Sequence, residues 1–274
     1  MKALGPIGVF DSGYGGLTIL NDIRQHLPQY DYLYLGDNAR APYGSRSFDV
    51  IYEYTWEAVQ ALFDAGCSLV ILACNTASAK ALRTIQQKQL PHFAPEKRVL
   101  GVIRPSTEAL EVYSKNKHMG ILATEGTVKS ESYLIELQKF APELTVTQHA
   151  CPMWVPLVEN NQYQTEGGTF FIQQDLKAIL EKDPQIDTIL LGCTHYPILK
   201  NQIEANLPAN IRVISQGNIV ASSLADYFIR HPEMDEKCSK QGTVTYWTTE
   251  NAADFSTKAS QLMEQNIEAV HIKL

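Results

Sequence analysis

The chain has no apolar run long enough to cross a bilayer, no excess of basic residues and no Cys-x-x-Cys pair. A membrane-spanning helix needs about 20 consecutive apolar residues, and the N-terminal stretch MKALGPIGVFDSGYGG is interrupted by Gly5, Pro6 and Asp11. We therefore expect neither a membrane anchor nor a signal peptide. A formal net charge of −7 gives no electrostatic footprint for a polyanion, so we expect no nucleic-acid partner.

The cysteines argue against disulfide and metal chemistry. Without an anchor or signal peptide we expect a cytoplasmic protein, and in that reducing compartment five cysteines, an odd number, favour free thiols over a disulfide framework. Without Cys-x-x-Cys a disulfide oxidoreductase is not expected. A structural zinc site requires closely spaced pairs of ligand residues, and Cys193-Thr194-His195 is the one local cluster of such residues in the sequence. We predict no bound metal, and small buried side chains at Cys67, Cys151 and Cys238.

Short β-branched runs alternate with helical periodicity along the chain. The composition, 45% hydrophobic and 19% charged over 274 residues, is typical of a globular protein. Strands that alternate with helices predict parallel sheets covered by helices. The predicted strands are 7–10, 31–35, 69–73, 98–103, 119–123, 144–148, 187–191, 211–215 and 243–247, with late helices near 218–230 and 251–265.

Two sets of four strands predict an α/β fold of two similar parallel-sheet domains, related by pseudo-twofold symmetry with an active site between them. The spacing from Asp11 to Cys74 nearly equals that from Thr124 to Cys193, so each cysteine ends the third strand of its own set. An ancient duplication would explain this repeated spacing. Coincidence among generic buried strands is the alternative explanation. The predicted first domain comprises residues 1–102 and 216–274, and the second comprises residues 103–215.

Cys74 and Cys193 both follow a strand, at the sheet edge where parallel α/β proteins bind ligands. Asn75, Thr76 and Thr194, which come directly after them, are residue types that cap helix N-termini, and Pro197 suits a first helical turn. The partial positive charge of a helix N-terminus stabilises a thiolate and offers N–H groups to a carboxylate. The repeated context favours chemistry at both thiols.

Two loops add weaker signals. DSGYGG, residues 11–16, follows the first strand, and its three glycines would let the backbone approach a ligand closely. It is neither G-x-G-x-x-G nor a phosphate loop with a Lys, so a nucleotide site is not indicated, and a plain tight turn remains the alternative. GDNARAPYG, residues 36–44, is either a surface loop or a binding lid.

Six segments in this order resemble the bacterial glutamate racemases, within the aspartate/glutamate racemase superfamily. They are VFDSGYGGL, YLGDNARAPYG, LACNTASA, GVIRPS, ACPMWVPLVEN and LLGCTHYPIL, and they span residues 7 to about 217. Arg104 in GVIRPS and the stretch after Glu159 depart from the family pattern. The resemblance implies inversion of L-glutamate to D-glutamate, a peptidoglycan precursor, without pyridoxal phosphate, metal or other cofactor. It also implies that a homodimer is possible.

The resemblance further implies roles for individual residues. Cys74 would take the α proton of D-glutamate and Cys193 that of L-glutamate, each acting as the acid when the other is the base. Asp11 and His195 would tune protonation of the thiols or of the substrate ammonium, and Glu159 matches a further acidic position whose alternative is a helix-surface carboxylate. Substrate contacts are expected from Asp11, Ser12, Tyr43, Gly44, Asn75, Thr76, Thr194 and His195.

Three other functions stay open at this point. A cysteine hydrolase would use Cys193 as nucleophile and His195 as base, which leaves Cys74 without a role. An amino-acid sensor on the same fold would bind glutamate without turning it over. Aspartate racemisation is the nearest neighbour within the superfamily.

Overall fold

Ten strands and fourteen α-helices make up the computed structural model, which describes residues 4–274. The strands are β1 Ile7–Asp11, β2 Tyr32–Gly36, β3 Leu69–Leu72, β4 Arg98–Gly101, β5 His118–Ala123, β6 Thr145–Ala150, β7 Thr188–Gly192, β8 Arg212–Ile214, β9 Val244–Thr248 and β10 Ala269–His271. The helices are α1 Gly16–His26, α2 Phe48–Asp64, α3 Asn75–Lys80, α4 Leu82–Thr84, α5 Leu90–Phe93, α6 Ile103–Ala109, α7 Glu125–Lys129, α8 Ser132–Phe140, α9 Trp154–Glu159, α10 Glu166–Lys182, α11 Lys200–Ala205, α12 Gly217–Arg230, α13 Pro232–Asp235 and α14 Ala252–Met263.

The strands form two parallel sheets with the same internal order. The first runs β10-β9-β2-β1-β3-β4 and the second β6-β5-β7-β8. In each sheet the first strand of the set lies between the second and the third, and the fourth follows the third. The chain crosses between the sheets twice, from β4 through α6 to β5 and from β8 through α12 to β9.

Burial on both faces explains why the central strands are almost purely apolar. Every residue of β1, β3 and β7 is buried, as expected when helices cover both sides of a parallel sheet. Each sheet separates two clusters of buried side chains, one on either face. The cores therefore hold rigidly the strand ends from which Cys74 and Cys193 project.

The fold class predicted from the sequence is confirmed: two all-parallel α/β sheets are present. The nine predicted strands correspond to β1–β9, and β9 pairs with β2, so the last part of the chain returns to the first sheet as expected. β10 was not predicted. The domain limits at 102/103 and 215/216 stay a prediction. Within residues 4–274 no helix combines the length and apolarity needed to span a bilayer.

Candidate active site

A cavity of about 160 Å³ lies where the C-terminal ends of the two sheets face each other. Its volume is below the roughly 300–1,000 Å³ common for ligand pockets, which suits a ligand as small as an amino acid. Both predicted thiols line it: Cys74 lies just beyond β3 and Cys193 directly after β7. Of the other predicted site residues, Ser12, Tyr43, Gly44, Asn75, Thr76, Glu159, Thr194 and His195 also line it.

Cys74 is a buried thiol at the first turn of α3. It is 5% exposed, and its Sγ lies 3.5 Å from the Oγ of Ser12. Burial raises the pKa of Cys74 to about 12, and the charge of Asp11 acts in the same direction, against the hydrogen bond from Ser12. Desolvation thus outweighs the helix N-terminus that the sequence suggested as a stabiliser of the thiolate, so Cys74 is a thiol at neutral pH.

Cys193 is paired with a buried, charged imidazole. The Nδ1 of His195 lies 4.0 Å from the Sγ of Cys193, and its Nε2 lies 3.0 Å from a carboxylate oxygen of Glu159. Burial opposes the charge on His195, but hydrogen bonds to Cys193 and Glu159 overcome it and raise the pKa of His195 to about 10. Glu159 is therefore a hydrogen-bond partner of His195. The alternative interpretation, a carboxylate on a helix surface without a role in the site, is not favoured.

Asp11 lies behind the cavity wall. The carboxyl group is fully buried: Oδ1 accepts a hydrogen bond from the Thr194 hydroxyl at 3.2 Å and Oδ2 from the Gly13 amide at 3.0 Å. Burial raises the pKa of Asp11 despite the opposing charge of His195. Asp11 therefore reaches the cavity through Thr194, and its direct contact with a substrate stays a prediction.

The residues after the two cysteines are not helix caps, which corrects the sequence interpretation. The α3 N-terminus has no side-chain cap; Asn75 bonds instead to Gln216 and Tyr133, and the Thr76 hydroxyl lies 3.0 Å from that of Thr124. These polar side chains connect the two halves of the fold. Pro197, by contrast, is at the start of the 3₁₀ turn Tyr196–Leu199, as expected.

The loop 36–44 supplies one wall of the cavity, so its interpretation as a binding loop is favoured over a plain surface loop. The hydroxyl of Tyr43 donates to the buried carboxylate of Asp37. Burial, together with the charge of Asp37, raises the pKa of Tyr43 far above its ordinary value. The carbonyl of Gly44 accepts a hydrogen bond from the Gly126 amide at 2.8 Å, which joins this loop to the start of α7.

Gly13 and Gly15, two of the three glycines of DSGYGG, make room for residues of the second half of the protein. A Cβ on Gly15 would lie 2.4 Å from the Thr194 hydroxyl and 2.5 Å from Nδ1 of His195. A Cβ on Gly13 would lie 2.9 Å from the Glu159 carboxylate. The glycines therefore let the first loop approach the residues that surround Cys193.

Several lining residues were missed by sequence reasoning. Thr124 ends β5 as Cys74 and Cys193 end their strands, and this repeated position was the available signal. Cys151 is buried as predicted but also lines the cavity. The remaining missed residues are Pro42, Ser45, Glu125, Pro152, Val155 and Pro156.

One group within residues 4–274 could bring three metal-ligand atoms together: His149, Cys151 and Asp175, with donor atoms within 4.8 Å of one another. The Lys182 ammonium lies 3.3 Å from Nδ1 of His149, and because an ammonium only donates, Nδ1 accepts. Nε2 then carries the proton and donates to Asp175 at 2.9 Å. The arrangement favours a hydrogen-bonded cluster over a cation site, and the expected absence of a metal stays a prediction.

Two thiols at one cavity between two parallel α/β sheets point to proton-transfer chemistry on a small molecule. The chain belongs to the Asp/Glu/hydantoin racemase family, whose model matches residues 17–224.

The individual relatives similar to this chain include several glutamate racemases. Glutamate racemase of Roseobacter denitrificans is 41% identical over 272 residues, which cover 96% of this chain and 98% of the relative. The crystal structure of a glutamate racemase isoform from Bacillus anthracis has a TM-score of 0.88 at 31% identity, with 98% of each chain covered. The Francisella tularensis glutamate racemase, solved in complex with D-glutamate, has a TM-score of 0.85 at 26% identity and covers 98% of this chain and 97% of its own.

Proposed function

We propose that this protein interconverts L-glutamate and D-glutamate by a two-thiol proton transfer that needs neither pyridoxal phosphate nor a metal. The observation that carries the proposal is that Cys74 and Cys193 line one small cavity from two different sheets. Inversion of a carbon requires one group to remove the proton on one face and another to deliver a proton on the opposite face. The named relatives are glutamate racemases that match this chain over nearly its whole length, which supports glutamate as the substrate.

The protonation states suggest which direction the resting enzyme is prepared for. Cys74 holds its proton, because burial raises its pKa to about 12. His195, with a pKa of about 10, is charged, and this cation beside Cys193 favours Cys193 as the group that accepts a proton. In this state Cys193 removes the α proton of L-glutamate and Cys74 donates to the opposite face. After turnover the roles are exchanged, and Cys74 is the base for D-glutamate.

The substrate carboxylates are held by neutral donors. No Lys or Arg lines the cavity in the part of the chain that the structure describes. Backbone N–H groups at the start of α3 and beyond β7, with the hydroxyls of Ser12 and Thr76, provide donors in a site screened from water. Donors of this kind stabilise the charge that develops as the α proton leaves, since the α C–H is a very weak acid.

Asp11 and Glu159 act through neighbours in this scheme. Asp11 orients Thr194, and Glu159 keeps the His195 imidazole charged and oriented toward Cys193.

The D-glutamate formed would supply peptidoglycan synthesis in the cytoplasm. Five free thiols fit that reducing compartment, and a homodimer remains an expectation of the family.

The direct test is to follow optical activity of L-glutamate and, separately, of L-aspartate with the purified protein. Loss of rotation with glutamate at a much higher kcat/KM than with aspartate is the expected result. Faster loss with aspartate would make the protein an aspartate racemase. Saturable binding without loss of rotation would make it a sensor, and a covalent adduct on Cys193 with released amine would make it a hydrolase.

A further inference from the structure

Gln216 lies where both crossings between the sheets come together. It is 1% exposed and precedes α12, at the return from the second sheet to the first. Its Nε2 lies 2.7 Å from the hydroxyl of Ser106 and 3.3 Å from the carbonyl of Val102, both on the outward crossing. One buried amide thus joins the two segments that connect the halves of the protein.

The same amide belongs to a closed ring of three hydrogen bonds. Asn75 Nδ2 donates to Gln216 Oε1 at 2.8 Å, Gln216 Nε2 donates to the Tyr133 hydroxyl at 2.7 Å, and that hydroxyl donates to Asn75 Oδ1 at 2.7 Å. All three side chains are buried. Each group donates once and accepts once, so each bond polarises the next.

Taken alone, such a ring could run in either direction if both amides were flipped. Ser106 and Val102 remove this freedom. The Ser106 hydroxyl donates its proton to the Val102 carbonyl at 2.8 Å, so both oxygens can only accept from Gln216. A flipped Gln216 would place its own oxygen against two acceptors. The outward crossing therefore fixes the orientation of Gln216, and Gln216 fixes that of Asn75.

The fixed orientation has a consequence in the cavity, which Asn75 lines directly beside Cys74. Its Oδ1 is occupied by Tyr133 and one of its N–H groups by Gln216. The group that Asn75 retains for a ligand is its second N–H, a donor suited to a carboxylate. An Asn75 that turned over would present an acceptor and would repel the same carboxylate.

We propose that Gln216 is a positioning residue for glutamate racemisation: through the ring it holds Asn75 with an N–H toward the substrate carboxylate at the Cys74 face. This inference rests on the proposed function, since it assigns Gln216 a part in that same site.

The test compares Gln216→Met with Ser106→Ala. Met has a similar length but no donor and only a weak acceptor, so it opens the ring. Ser106→Ala removes one Gln216 contact but keeps the Val102 carbonyl, which still orients the Gln216 amide, and it leaves the ring closed. We expect Gln216→Met to raise KM for both enantiomers by about tenfold or more, because a buried amide loses its partner. Ser106→Ala should lower Tm while KM stays at the parent value. Equal KM values in Gln216→Met and the parent would overturn the proposal, as would equal KM increases in the two variants.

Two further variants separate positioning from general loss of structure. Tyr133→Phe opens the same ring, so the double variant with Gln216→Met should raise KM no more than either single change. Gln216→Glu can donate while its buried carboxyl is protonated and only accept once ionised, so its KM should approach the parent value at low pH and rise with pH more steeply than in the parent. Additive effects, or a pH profile parallel to the parent's, would contradict the ring.

Side-chain amide signals in ¹⁵N NMR test the ring without turnover. The Asn75 and Gln216 amide protons should exchange slowly with solvent in the parent, and those of Asn75 should exchange quickly in Gln216→Met; fast exchange in the parent would refute the ring. If the parent has the slow signals but does not racemise glutamate, the proposed function fails. If it racemises glutamate and Gln216→Met keeps the parent KM, the positioning role alone fails.

Discussion

A single methyl group on Gly15 tests how closely the first loop approaches the Cys193 half of the site. Gly15 has φ −59° and ψ −36°, right-handed values that alanine adopts without strain. Any effect of Gly15→Ala must therefore come from contacts, and not from the backbone conformation of the new residue.

The contact distances set the size of the effect. The new Cβ would lie 2.4 Å from the Thr194 hydroxyl, 2.5 Å from Nδ1 of His195 and 2.8 Å from the His195 backbone nitrogen. Restoring ordinary contact requires a shift of about 1 Å, and because a backbone atom is involved the side chains cannot relieve it alone. Overpacking of this kind costs about 1–3 kcal/mol, and a displacement of about 1 Å at a catalytic group lowers activity about 100-fold.

The assay is glutamate racemisation by polarimetry together with Tm, with Gly167→Ala as the matched control. A Cβ on the exposed Gly167, within α10, has its nearest neighbour at 3.9 Å, so activity should be unchanged and Tm equal or slightly higher. Gly15→Ala should lower kcat/KM about 100-fold and reduce Tm by several degrees. Parent-like activity and Tm in Gly15→Ala would refute the close approach that we describe.

Two other predictions concern the charge on His195 and the absence of cofactors. The pKa of His195 is raised from 6.5 to about 10, so its charged form stabilises the fold below pH 6.5 and that stabilisation is lost as the pH rises through about 10. Glu159→Gln should therefore destabilise the protein near neutral pH, by an amount that shrinks toward pH 10 in urea titrations. Because the reaction needs one thiolate and one thiol at the same time, kcat/KM should be bell-shaped against pH, and Glu159→Gln should move the alkaline limb to lower pH. The same change at the exposed Glu53 should do neither, and an unmoved alkaline limb would contradict the His195 assignment. Activity should also survive chelators and carbonyl reagents that remove pyridoxal phosphate, whereas loss that is restored by adding metal or cofactor would contradict direct thiol chemistry.

Burial explains why the central strands could be predicted from the sequence: every residue of β1, β2, β3 and β7 is buried, and their runs are mostly apolar. The edge strand β6 has no buried residue, and its β-branched Thr145, Val146 and Thr147 gave the signal instead. β10 lacks that signal: it is three residues long, lies at the edge of the first sheet, and its Val270 is 56% exposed. Ala269 packs against the core of the first sheet, but the other two residues of β10 are exposed, so burial selects little of its sequence.

Site residues could be predicted from the sequence where the same position recurs in both sets of strands. They could not be predicted where side chains distant in sequence meet only in the folded protein. Cys74 and Cys193 are recognisable because each follows the third strand of its set. Gln216 lies far from Asn75 in sequence, and nothing local to either residue indicates a shared ring. The pKa of Cys74 depends likewise on burial that only the assembled cavity produces, which is why a helix N-terminus alone suggested the opposite shift.

Deuterium incorporation by the two single Ser variants tests the two-thiol scheme most directly. Enantiomers have equal free energies, so kcat/KM must be equal in the two directions for any variant and cannot reveal which thiol faces which enantiomer. In heavy water the remaining thiol can still exchange the α proton of the one enantiomer it faces, provided that it exchanges with solvent while the substrate is bound. We predict that neither variant racemises, that Cys193→Ser deuterates D-glutamate only, and that Cys74→Ser deuterates L-glutamate only. Reversed enantiomers would overturn the assignment of faces, and racemisation near the parent rate by either variant would contradict the two-thiol mechanism itself.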